Sequence, residues 1–264
     1  MISPGQIAAK KFMKENGFSD LNEIPLELVA AGLGATVIEK PMSYADGRIV
    51  FGDRKTIITI NSDIEYPGKK RFTIGHEIGH LCMHREHFQL HNDTDATLEY
   101  FKTGNQETEA NEFASELIMP EKSFREISDD YEFGPELLRF LADHFKSSIT
   151  SVAYRYFKFG HHPICLVYSY ANKVKYWIRP DSFDHYIIDK TNLAPPEHSV
   201  ATEYFNKGKI YPKNESKQEI WKSTWFELKS WENDNDFNFY EYCIVTPKFN
   251  TVLSVIWEEQ SRHF

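Results

Sequence analysis

Cysteine is scarce: three residues, Cys82, Cys165 and Cys243, in a chain of 264. They are odd in number, far apart and form no C-x-x-C pair, so a disulfide framework is excluded as the source of stability and a reducing compartment fits. Long apolar runs are also missing. No stretch approaches the roughly 20 apolar residues that span a bilayer, so no membrane partner is expected. The first eleven residues lack the continuous apolar core of a signal peptide, and a cytoplasmic location is expected. Positive charge is in deficit, with 30 Lys and Arg against 39 Asp and Glu and a net charge of -9. Phosphate neutralisation needs a basic surface, so direct nucleic-acid binding is not expected. No internal repeat is visible.

What is present is a core's worth of apolar material, including 20 Phe and 14 Tyr. Ser3-Pro4 opens a predicted helix that Gly17 stops, and a shorter one runs from Pro25 towards Gly32 and Gly34. Strands are expected at 35–39, 47–51 and 56–61, the last β-branched through its centre. A helix from Pro67 to about His84 carries Phe72, Ile74, Ile78 and Leu81 at helical spacing. Residues 85–105 read as a polar loop, and a helix over about 106–119 is stopped by Pro120. Helices at 135–145 and 149–159 precede two hairpins, 164–178 and 240–257. The expected fold is α+β in three parts. Residues 1–125 would form a catalytic domain, 126–160 a helical segment and 161–264 a strand-rich domain.

The chemistry concentrates in His76-Glu77-Ile78-Gly79-His80. Residues four apart lie on one helical face, so both imidazoles can reach one ion. Zinc takes nitrogen and carboxylate ligands and leaves a fourth position for water in catalytic sites. Glu77 then stands where it can take that water's proton. A third ligand at the metzincin spacing would fall at Glu86, with Met83 in place of the required glycine, so that class fails. His84 is one turn further along and reads as a supporting or packing residue. On the next helix Glu107 and Asn111 share a face with Ala110, Ala114 and Ile118, whereas Glu109, Glu112 and Glu116 make a stripe that reads as a solvated face. Glu107 is therefore the expected third ligand, and with an amide one turn later it resembles the Glu-x-x-x-Asp arrangement of gluzincin peptidases, which implies that Asn111 orients a ligand histidine. Tyr100 and His84 are near enough in sequence to touch the reaction, without a role assigned to either.

Two segments together carry a family resemblance. Arg71-Phe-Thr-Ile-Gly-His-Glu-Ile-Gly-His80 and Glu107-Thr-Glu-Ala-Asn-Glu-Phe-Ala-Ser-Glu-Leu-Ile-Met-Pro120 resemble the ImmA/IrrE metallopeptidases, over roughly residues 25–125. The resemblance implies a gluzincin-like fold, Zn²⁺ held by His76, His80 and Glu107, and site-specific cleavage of a helix-turn-helix transcriptional repressor in phage, mobile-element or stress-response regulation. Residues 134–159 resemble the family's helix-turn-helix region; from the residues alone they read as a helical hairpin. The C-terminal strands resemble the GAF-like sensor domain of the IrrE branch. Two rival readings keep the fold and change the role: a non-cleaving sensor or binding protein, or one component of a toxin–antitoxin pair.

Overall fold

A computed structural model describes residues 3–52, 55–85 and 104–259 of the chain. It divides into two compact units, one comprising 1–127 with 140–151, the other 128–139 with 152–264.

The first unit opens with α1 (Pro4–Glu15), which has proline in its first turn and buries Ala9, Phe12 and Met13. Gly17 follows at φ 71°, a left-handed conformation that ends the helix without a Cβ clash. Helix α2 (Leu26–Gly32) leads into β1 (Ala35–Lys40). Strands β2 (Gly47–Phe51) and β3 (Thr56–Asn61) complete a three-stranded sheet of order β1-β3-β2, with β1 parallel and β2 antiparallel to β3. In β3, Thr56, Ile58 and Ile60 are buried and the residues between them are not, the alternation of a strand covered on one face. Helix α3 (Pro67–Met83) and helix α4 (Gly104–Ile118) pack against each other, and α1 packs on α4. Of the loop expected over 85–105, residues 86–103 lie outside the described residues, and Tyr100 with them.

Pro120 does more than stop a helix. Its carbonyl accepts the amide of Phe124, the first turn of α5 (Glu121–Ser128). Helices α6 (Pro135–His144) and α7 (Ile149–Phe159) follow, and each is divided between the two units.

The second unit is built on a five-stranded antiparallel sheet. Strands β4 (Cys165–Tyr170), β5 (Lys173–Ile178), β6 (Gln218–Ile220), β7 (Phe239–Thr246) and β8 (Thr251–Glu258) lie in the order β5-β4-β8-β7-β6. Ala171 and Asn172 both take positive φ, the primed turn that suits the twist of a hairpin. Between the hairpins run α8 (Val200–Lys207) and the short α9 (Lys222–Trp225). Phe183, Trp225, Phe226 and Phe239 fill the core with the apolar faces of β4 and β8. Phe133 packs on Tyr156, His162 and Trp257, so a cut at residue 160 runs through an aromatic cluster of this unit. His161 and His162 are engaged locally, with Asp129 at 3.3 Å and with the Glu258 carbonyl at 2.8 Å.

Glu241 lies at the centre of that core, fully buried. Its carboxylate accepts from the Ser254 hydroxyl at 2.6 Å, from Trp225 Nε1 at 3.2 Å and from the backbone N–H of Val200 at 2.8 Å and Ala201 at 3.3 Å. Those two amides belong to the first turn of α8, where orphan donors and the helix dipole favour an anion. Desolvation pushes this carboxyl above its usual range, and the donors from Ser254, Trp225, Val200 and Cys243 pull it back.

Candidate metal centre

Two helices make this site, and small residues let them approach. A Cβ on Gly79 of α3 would lie 3.1 Å from Ala110 Cα and 3.2 Å from the Ala110 carbonyl of α4. Any side chain there would need the facing helix to give way by a few tenths of an ångström. Ala110 and Ala114 are completely buried in the same interface. The close approach puts the first turn of α4 over the middle of α3, so that Glu107 reaches both histidines.

The geometry is compact. Glu107 Oε2 lies 3.2 Å from His76 Nε2, and its Oε1 lies 3.2 Å from His80 Nε2. The two Nε2 atoms are 3.1 Å apart. One ligand atom from each residue falls within 4.8 Å of the others, a spacing that one metal ion can bridge. His76 Nδ1 is 2.9 Å from Asn111 Oδ1. An amide oxygen only accepts, so that ring nitrogen carries the proton and Nε2 keeps its lone pair for the centre. The structure therefore brings together His76, His80, Glu107 and Asn111, in the arrangement expected from their spacing.

Glu77 is 1% exposed on the same helix. It lines a cleft of about 430 Å³ together with Gly47, Thr73, His76, Glu107 and Asn111. Gly47 starts β2 and touches this carboxylate: a Cβ there would stand 2.9 Å from Glu77 Oε1 and 2.5 Å from Thr73 Cγ2. β2 is an edge of its sheet among the described residues, whereas β3 is paired on both sides.

The acidic stripe on α4 is not a solvated face, contrary to expectation. Glu116 is 2% exposed and accepts from Gln6 Nε2 at 3.1 Å and from the Glu121 amide at 3.1 Å. Glu112 lies against Gly5 of α1. Helix α1 covers this side of α4, a non-local contact that spacing along α4 cannot reveal. Glu109 turns to the end of α3, where its Oε2 sits 2.9 Å from His84 Nε2. The third histidine at a four-residue interval was the available signal for this pair.

Comparison with known proteins decides the family. Residues 30–157 match the Peptidase_M78 model, described as an IrrE N-terminal-like domain. This stretch of the chain belongs to that family. The likeness read from the two motifs is thus borne out, and the IrrE N-terminal-like domain contains α3, α4 and every residue of the centre. No curated protein matches the chain. Among solved structures, a Mycobacterium tuberculosis transcriptional regulator superposes with a TM-score of 0.59 at 13% identity, over 96% of this chain and 87% of that one. At such identity the likeness is one of fold. Among the described residues no helix is long and apolar enough to cross a membrane.

Proposed function

We propose that the chain is a cytoplasmic zinc-dependent endopeptidase that cleaves a helix-turn-helix transcriptional repressor at a specific site. The convergence of His76 Nε2, His80 Nε2 and the Glu107 carboxylate carries the reading. Two imidazoles and a carboxylate are the ligand set of a catalytic rather than a structural zinc site, which would be closed by a fourth protein ligand. Zinc held there supplies a Lewis acid for the scissile carbonyl and lowers the pKa of water. Glu77 stands beside the centre to take a proton from that water and hand it to the leaving amine. Asn111 holds the His76 ring in the required tautomer. The substrate adds as a strand to the open edge of β2, which begins against Glu77. The second unit contributes none of these residues, which suits a regulatory role. A fold shared with a transcriptional regulator suits a task in transcription control.

The test is to incubate the zinc-loaded chain with helix-turn-helix repressors from the same genome, starting with any that is encoded beside it. Cleavage at one position is expected, abolished by a chelator, restored by zinc and absent in Glu77→Gln at unchanged zinc content. An intact partner after long incubation with loaded wild type would overturn the reading. Tight binding without cleavage would favour a non-cleaving sensor or a toxin–antitoxin pair.

A further inference from the structure

His80 is held by more than the helix it sits on. Its Nδ1 lies 3.0 Å from Nδ1 of His84, which caps the C-terminal end of α3, and His84 Nε2 lies 2.9 Å from Glu109 Oε2 on α4. His80 is fully buried and His84 is 3% exposed, so the two rings have little freedom and little water to choose as a partner.

The protons along this line follow from the end that can only accept. A carboxylate has no proton to give, so His84 Nε2 donates to Glu109. With its proton on Nε2, the His84 ring presents a bare Nδ1, which accepts from His80 Nδ1–H. His80 Nε2 is left with its lone pair, facing His76 and Glu107 at 3.1 and 3.2 Å. Reversing one proton in the line would put an N–H into the centre, where a cation should sit. His76 obtains the same outcome from a single amide, Asn111; His80 obtains it through a second imidazole.

We propose that His84 and Glu109 are positioning residues, a relay that fixes the tautomer and ring plane of His80 for metal binding. The inference rests on the metal reading above. It reassigns Glu109 from surface acid to the terminus of the relay, and it makes the order of action specific: Glu109 works only through His84.

That order can be tested on the full chain by zinc competition with a chromophoric chelator, with thermal unfolding of the metal-free forms alongside. Outer partners of metal-bound histidines are generally worth about 10–100-fold in affinity. His84→Ala should lose affinity in that range, Glu109→Ala somewhat less, and the double variant no more than His84→Ala alone. Glu109→Gln keeps an oxygen that accepts the His84 N–H and should bind zinc close to wild type. Glu109 is only half-buried, so its two variants leave metal-free stability unchanged and decide the matter even if His84→Ala does not fold. Losses that multiply in the double variant, Glu109→Gln as weak as Glu109→Ala, or Glu109→Ala as tight as wild type would each overturn the relay. A wild-type chain that takes up no zinc would overturn the metal reading and the relay together, which separates the two failures.

Discussion

The two units of the chain each set a carboxylate among polar partners, Glu241 fully buried and Glu107 half-buried, and the two are handled in opposite ways. Around Glu241 stand donors: a hydroxyl, an indole N–H and two amides from the start of α8. That arrangement is finished, because each of these partners is a donor already in place, and it ties α8 and α9 to the sheet. Glu107 instead faces two ring nitrogens, and at least the His76 nitrogen offers a lone pair. Acceptors that converge are costly unless a cation lies among them. The contrast separates a buried acid ringed by donors, which builds a fold, from a half-buried one set among metal-binding nitrogens.

The sharpest way to break this contrast is to remove each acid in turn. Glu107→Ala should lose nearly all bound zinc and all peptidase activity while the chain remains folded, read by metal analysis and circular dichroism. Glu241→Ala should do the reverse. It leaves the Val200 and Ala201 amides and the Trp225 and Ser254 donors buried without their acceptor, and each buried donor left unsatisfied costs about 1–3 kcal/mol. Chemical denaturation should show that loss while zinc stoichiometry stays at the wild-type level. If Glu241→Ala loses zinc and Glu107→Ala loses mainly stability, the assignment of roles is inverted.

A smaller effect sharpens how the first unit makes its site. Gly79→Val places branched carbons where even a Cβ would lie 3.1 Å from the Ala110 backbone. Overpacking of this kind costs about 1–3 kcal/mol. It also pushes the first turn of α4, and Glu107 with it, away from the histidines. Zinc affinity should fall together with stability, by competition titration and thermal melting. Loss of stability with unaltered affinity would show that Glu107 is placed by something other than this helix contact.

The centre was legible because its parts are local. His76, Glu77 and His80 are fixed relative to one another by one helix, and Glu107 and Asn111 by another. Ala110 and Ala114 advertised a close helix contact, and Gly79 completed it. What spacing could not show was the far side of α4, since Glu112 and Glu116 are covered by α1, from the far end of the unit's sequence. The His84–Glu109 pair was half visible: the histidine interval stood in the sequence, but its partner was assigned to solvent. In the second unit the hairpins were readable from alternation and turn residues. Helix α8 was not, because its eight residues include Val200, Thr202, Tyr204, Phe205 and Asn206, all weak helix formers. Its first turn is stabilised by Glu241 from a distant strand.

The smallest expected effect compares two acids within the second unit, Glu241 and Glu203. Glu203 is a half-buried acid whose carboxylate accepts from Tyr211 at 2.5 Å and pairs with Lys209 at 3.3 Å. The Tyr211 hydroxyl first, and Lys209 after burial is counted against it, hold its carboxyl below the usual range. A carboxyl depressed in the folded state adds stability that is complete above its unfolded value, near ~4.3. That stability is lost as pH falls through the lower folded value. Glu241 runs the other way, because its raised carboxyl penalises the folded state at neutral pH and the penalty eases as pH falls towards the unfolded value. Glu203→Gln should therefore remove a contribution of less than about 1 kcal/mol, the scale of partly exposed pairs, at pH 7 and make almost no difference at about pH 2–3. Urea denaturation of wild type and variant across that range measures the difference directly. A gap between them that widens on acidification would mean that Glu203 is not the depressed acid its contacts make it.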